Sequence, residues 1–191
     1  MSTPRVMFKA MVFACVGMVL VYFGVGVILA DEWHVDSART IQVPPAKVAA
    51  LVQDFGTWHD WSSMEADLGP QTQRTVTGTA GTAAHRITWS GSQGVAMLTI
   101  AAAGPDFVAY DFHAQGPGED QPVWRGRGRI EWSPDGAGCR VRWHDESRWD
   151  SLPGRWIGWF GALQERVRQI QGTSLEGLEQ ALGDRGTPAP K

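Results

Sequence analysis

Val123 to Glu146 reads VWRGRGRIEWSPDGAGCRVRWHDE, and the period of this stretch decides the fold. Trp124, Gly126, Gly128, Ile130 and Trp132 alternate with Arg125, Arg127, Arg129 and Glu131. A repeat of two is what a strand makes and a helix does not. The turn formers SPDGAG follow at 133–138, and the alternation resumes with Cys139, Val141 and Trp143 against Arg140, Arg142 and His144. Two long antiparallel strands are expected, each with one wet face and one apolar face.

Working upstream, shorter strands separated by Gly, Pro and Asp turns precede this hairpin. HRITW puts His85, Ile87 and Trp89 on one face, VAMLTIA puts Ala96, Leu98 and Ile100 together, and FVAYDFH does the same with Val108, Tyr110 and Phe112. The earliest strand is HVDSARTIQV, ended by Pro44 and Pro45. Pro45 suits the first turn of a short helix carrying Val48, Leu51, Val52 and Phe55. TWHDWSSM then places Trp58 and Trp61 three apart on one side of a turn. Downstream of the hairpin the period changes: Trp156, Trp159, Phe160, Leu163, Val167 and Ile170 recur every three or four residues, which predicts an amphipathic helix. Thr173 and Glu176 are spaced as a capping box, so a kink or restart after Gly172 is expected, with Leu175, Leu178 and Leu182 continuing the apolar side.

At the other end, AMVFACVGMVLVYFGVGVILA runs from Ala10 to Ala30 without a charge, and as a helix it reaches about 31 Å, enough to span a bilayer core. Arg5 and Lys9 precede it while Asp31 and Glu32 follow, a flank asymmetry that predicts a cytoplasmic N-terminus and an exported remainder. A cleaved signal peptide is the competing reading. The length of the run and the poor small-x-small site at Ile28 and Ala30 favour a retained anchor. The organisation expected is a cytoplasmic segment over 1–9, a transmembrane helix over 10–30, one α+β domain over 33–182 and a disordered tail over 183–191. The location expected is the inner (plasma) membrane, single-pass, with the domain in the periplasm or outside the cell.

Composition excludes several classes. With 43% apolar residues and ten tryptophans in 191 residues the chain carries a packed core, and its net charge of -3 gives no general attraction for nucleic acid. Cys15 and Cys139 lie too far apart in character and sequence to be read as a pair. His34, His59, His85, His113 and His144 are dispersed, so no metal site is predicted. No phosphate loop, nucleophile elbow or cofactor signature occurs either. No protein partner is identifiable from the sequence.

Strand, short helices, a run of antiparallel strands and a long final helix is the order of a helix-grip fold, and the local words agree with it. DFGTWHDWSSM, GTAGTAAHRITWSG, GVAMLTI and GCRVRWH, over roughly Trp33 to Leu182, resemble the bacterial polyketide cyclase/dehydrase and lipid transport group of the START-like (SRPBCC) superfamily. The resemblance implies a curved antiparallel sheet wrapped around the C-terminal helix, enclosing a cavity for an apolar small molecule or lipid. It licenses no particular reaction. The expected function is therefore a membrane-tethered binding domain. The alternatives are a cyclase, dehydratase or hydrolase using the same cavity, and a non-catalytic interaction subunit.

Candidate ligand contacts follow from the inward faces. Trp58, Trp61, Trp89, Tyr110, Trp143, Trp156 and Phe160 supply apolar walls, and Gly126 and Gly128 supply room on the strand between Trp124 and Trp132. For each tryptophan, core packing competes with ligand contact. The polar candidates on inward phases are His85, Asp145 and, if its hydroxyl reaches the interior, Tyr110. His85 and Asp145 are the candidates for acid/base work, each weighed against an ordinary alternative, a hydrogen-bonded wall histidine and a carboxylate turned to solvent where the strand frays. The arginine stripe Arg125, Arg127, Arg129, Arg140 and Arg142 reads as the solvated outer face of the sheet.

Overall fold

The computed structural model describes residues 4–68, 71–118 and 123–184. Helix α1, Pro4–Ile28, comes first, then strand β1, Glu32–Ile41, and helix α2, Pro45–Val52. Two 3₁₀ turns follow at Phe55–Asp60 and Ser63–Asp67. Six strands succeed one another: β2 Gln73–Thr77, β3 Arg86–Gly91, β4 Gly94–Ala103, β5 Phe107–Gln115, β6 Val123–Asp135 and β7 Gly138–Arg148. Helices α3, Leu152–Trp159, and α4, Ala162–Asp184, close the described chain.

The seven strands form one antiparallel sheet in the order β1-β7-β6-β5-β4-β3-β2. Five of the six pairings are hairpin neighbours, and the sixth brings β1 back beside β7. The alternation read over 123–146 is realised: Ile130, Trp132, Cys139, Val141 and Trp143 are buried while the arginines between them face out. The turn between these strands is two residues long, and Gly136 takes the positive φ of 60° that it demands. The core lies on the inner face of the sheet, against Val48, Leu51, Val52 and Phe55 from one side and Leu175, Leu178 and Leu182 of α4 from the other. Cys15 and Cys139 are both free thiols.

Two features of the C-terminal helix differ from the periodicity reading. The single helix expected from Trp156 onward is two, because Gly161 adopts a left-handed φ of 71° and turns the chain between α3 and α4. Trp159 and Phe160 consequently point away from the core and are 63% and 73% exposed. Conversely, the restart expected after Gly172 does not occur, since α4 runs unbroken through Thr173. It also extends through Asp184, past the expected start of the tail, whose residues 185–191 lie outside the described residues.

The glycines of α4 have opposite surroundings. A Cβ on Gly172 meets nothing within 4 Å, whereas one on Gly177 would fall on the backbone carbonyl of Trp61. Gly172→Ala is therefore expected to stabilise by about 0.5–1 kcal/mol through helix propensity. Gly177→Ala should destabilise by about 2 kcal/mol despite the same propensity gain, because α4 must retreat from the Trp58–Trp61 turn. Urea unfolding of the two variants followed by circular dichroism checks this. Stabilisation by both would mean that α4 does not seat on that turn.

Helix α1 stands apart from the core. Its segment Phe8–Ile28 is long and apolar enough to cross a membrane, and it is exposed along nearly its whole length. Gly26 is the exception, buried beneath Leu152 and Trp156 of α3. Tyr22 stacks on Trp156 with ring centroids 5.7 Å apart and planes 7° from parallel, and Trp156 Nε1–H donates to the Tyr22 carbonyl at 3.2 Å.

Candidate functional site

The register of four strands brings Trp89, Ala96, Ala114 and Trp124 into one transverse row, Trp89 opposite Ala96, Ala96 opposite Ala114 and Ala114 opposite Trp124. All four stand on the inward phase of their strands. Two methyl groups between two indoles leave a trough, and the sheet has a cavity of about 390 Å³ there, roofed by Leu68 and Thr72 and rimmed by Gly91, Gly94 and Gly116. That volume lies within the range of small-molecule sites. The Trp89 wall is fixed in place, its Nε1–H donating to Glu65 Oε1 at 2.8 Å while Arg74 sits 3.6 Å from the same carboxylate oxygen. Among the described residues no charged side chain lines the trough, and the polar groups there are the Thr72 hydroxyl and the amides of Gln93 and Gln115. Such a lining suits a neutral or apolar group.

The next row fills. Ile87, Leu98 and Phe112 follow in register, with Gly126 beyond Phe112. One row further in, Tyr110 lies across Gly128 to reach Asp145, so a Cβ on Gly128 would collide with the Tyr110 ring and with Asp145 Oδ1. The room expected above Gly128 is occupied by these two side chains. Tyr110 O–H donates to Asp145 Oδ1 at 2.6 Å and itself accepts from Trp143 Nε1–H at 2.8 Å. Gln171, fully buried on α4, donates from Nε2 to Asp145 Oδ2 at 2.8 Å. Asp145 therefore does not turn to solvent where β7 ends; its carboxylate points into the core. Burial pushes its carboxyl above the ordinary value, against the lowering effect of the hydrogen bonds from Tyr110 and Gln171. Burial, with the Asp145 charge beside it, also holds the Tyr110 hydroxyl well above its usual value, so the phenol keeps its proton and acts as donor.

His85 is the wall histidine that the sequence allowed. It is buried, Nε2 accepts from the Phe55 amide at 3.0 Å and Nδ1–H donates to the Thr77 carbonyl at 3.1 Å. The ring stacks on Phe55 with centroids 5.2 Å apart. Both nitrogens are thus engaged by backbone, and Nε2 also lies 3.4 Å from the partly exposed Asp54 carboxylate. His85 and Asp145 share no hydrogen-bond partner.

The remaining candidates separate into three groups. Trp58, Trp61, Tyr110 and Trp143 form one packed aromatic cluster, with centroids 5.0–6.1 Å apart. Trp89 alone of the sequence candidates lines the trough. Trp156 and Phe160 stand at the junction with α1, away from it. Sequence reasoning does not single out Ala96, Ala114, Trp124 or Gln171 for a site. Small residues on the inward phase of β4 and β5 are the signal for the first two, but only the pairing register shows that they meet. Among the described residues no group of three His, Cys, Asp or Glu is placed to hold a metal.

Residues 32–183 match the family described as polyketide cyclase / dehydrase and lipid transport. No curated protein sequence matches the chain. Among solved structures, protein MLL2253 from Mesorhizobium loti is similar at 20% identity, a TM-score of 0.55, and coverage of 82% of this chain and 100% of that one. TTHA0849 from Thermus thermophilus is similar at 16% identity and a TM-score of 0.53, over 81% of this chain and 100% of that one. The structure of Ara h 8.0201 is similar at 14% identity and a TM-score of 0.54, over 80% and 99%. At such identities the likeness is one of fold, and it confirms the helix-grip arrangement of curved sheet and C-terminal helix. The family match spans all seven strands together with α3 and nearly all of α4, and the chain belongs to the polyketide cyclase / dehydrase and lipid transport family.

Proposed function

We propose that this chain is a membrane-tethered binding domain that holds an apolar small molecule, a lipid above all, in the Trp89–Trp124 trough. The observation that carries this reading is where the trough lies. β1 starts at Glu32, directly after α1, and pairs with the end of β7; β7 pairs with the start of β6, β6 with the end of β5, and β5 with the start of β4. The trough occupies that same end of the sheet, so a molecule leaving a bilayer spanned by α1 meets the trough before any other part of the inner face. Side chains bridge the two. Trp124 packs edge-on against Trp149 with centroids 5.8 Å apart, Trp149 abuts Gly158 of α3, and α3 packs on α1.

The snug packing of Tyr22 and Gly26 against Trp156 and Leu152 supports retention of α1 in the mature protein, since a segment removed on export has no need of a fitted seat on the domain. Arg5 and Lys9 against Asp31 and Glu32 support a domain outside the cytoplasm. Binding is favoured over catalysis by distance. Asp145 lies opposite Gly128, four residues along β6 from Trp124, or about 13 Å, beyond reach of a group lying in the trough.

The test is native mass spectrometry of the full chain released from lipid nanodiscs, followed by titration with phospholipids, fatty acids and neutral polycyclic compounds while tryptophan fluorescence is read. A stoichiometric apolar adduct with quenching of the tryptophans is expected. A chain that stays at its bare mass through the whole panel would sink the proposal.

A further inference from the structure

We infer that the corner between α3 and α4, Trp159-Phe160-Gly161, is a second membrane contact that inserts into the leaflet beside the end of α1 and fixes how the domain sits on the bilayer. The inference rests on reading α1 as a retained span.

Depth carries the argument. Leu152 packs at Gly26 and Trp156 at Tyr22, so α3 descends alongside α1 in the opposite chain direction. Tyr22 is six residues before Ile28, about 9 Å inside the end of the apolar segment at 1.5 Å per residue. Trp159 and Phe160 come one turn later on a helix still heading inward, so they lie at least as deep as Tyr22. The water boundary is marked on the same elements. Asp31 accepts from Arg148 at 3.0 Å and faces Arg155 at 3.8 Å, and the Arg155 guanidinium donates to the Val27 carbonyl at 3.4 Å. These charges sit where α1 ends, and the aromatic corner projects from that level toward the lipid.

Composition agrees with depth. From Trp156 to Gln164 there is no charged residue, while Arg155 and Glu165 flank the segment. Trp159 and Phe160 are largely exposed side by side, 5.6 Å between centroids, and Trp159 is edge-on to Trp156 at 5.8 Å. Adjacent exposed aromatics are unfavourable in water and suit the bilayer interface, where Trp concentrates. The surface is continuous with α1 through the Tyr22–Trp156 stack, so the occupant is the leaflet that α1 already crosses. The corner adds a second lipid contact to the one that α1 makes, so the trough end of the sheet is held toward lipid.

The experiment reads depth directly on the full chain in phosphatidylcholine/phosphatidylglycerol vesicles. An environment-sensitive thiol dye is placed at Phe160→Cys in a Cys15→Ser background, where the remaining Cys139 is buried and unreactive. The native Cys15 and an Arg127→Cys variant on the outer face of β6 serve as references. The dye at 160 is expected to be quenched by shallow nitroxide lipids and to show an iodide quenching constant several times smaller than at 127. A dye at 160 as open to iodide as that at 127, with Cys15 protected, overturns the inference and leaves the anchor intact. If Cys15 is open as well, α1 is not a span and both readings fall. Protection at 160 from iodide without quenching by nitroxide lipid means that another protein copy covers the corner, which also overturns it.

Discussion

Asp145→Ala is expected to lower stability by about 3 kcal/mol, and Asp145→Asn to leave it within about 1 kcal/mol of the parent at neutral pH. Alanine strands the Tyr110 hydroxyl and the Gln171 amide, both donors aimed at the lost carboxylate, and opens a void between β7 and α4. Asparagine keeps an oxygen for Tyr110. Its new N–H₂ group can be accepted by Gln171 Oε1, which is buried and has no hydrogen-bond partner among the described residues, once that amide turns over. The pH dependence follows from the sign of the shift. Burial raises the folded-state carboxyl above its unfolded value, so the native state holds the proton more tightly. The stability this contributes is full below the unfolded value near 4 and is lost as pH rises through the raised folded value. Urea unfolding of parent and Asp145→Asn across pH 4 to 8 isolates the term: the parent's stability relative to the variant should fall with rising pH and then level. A difference that grows with pH would show that the hydrogen bonds from Tyr110 and Gln171 outweigh burial and favour the ionised form.

The same residue marks how far sequence reading reaches. Strict alternation over Cys139, Val141 and Trp143 puts Asp145 on the inward phase, and that much is legible from a period of two. Whether the carboxylate stays inward depends on Tyr110, 35 positions earlier in the chain, and Gln171, 26 later, which no local pattern connects. The trough shows the same division. Ala96 and Ala114 are legible as small inward residues, but their meeting between Trp89 and Trp124 is a matter of register across three hairpins, one of which carries a bulge between Ile100 and Ala102. The apolar period from Trp156 to Ile170 is genuine, yet a single left-handed residue at Gly161 rotates Trp159 and Phe160 off the core face. Gly161 carries a legible signal, a glycine directly after an apolar turn, and the longer repeat overrides it.

Ala114→Phe and Ala96→Phe, each alone, are expected to weaken apolar-ligand binding at least tenfold, a loss of about 1.4 kcal/mol or more, while leaving the fold in place. Both alanines form the floor of the trough, and an aromatic ring rising from either position divides the space between the two indoles. Overpacking a closed core costs stability because neighbours must leave their rotamers, but this floor faces an existing opening, so the ring has somewhere to go. Ala109→Phe is the control: it lies on β5 with the opposite phase to Ala114, facing away from the trough. The measurement is fluorescence titration with the ligand identified by mass spectrometry, alongside urea unfolding of each variant. Gly128→Val provides the contrast, since it drives Tyr110 out of its hydrogen bonds with Asp145 and Trp143 and should fail by unfolding rather than by losing a ligand. If both alanine variants bind as the parent does, the ligand is not in this trough. The packed Trp58–Trp61–Trp143 cluster would then have to open to admit it, which Gly177→Ala, by loosening the seat of α4, should make easier rather than harder.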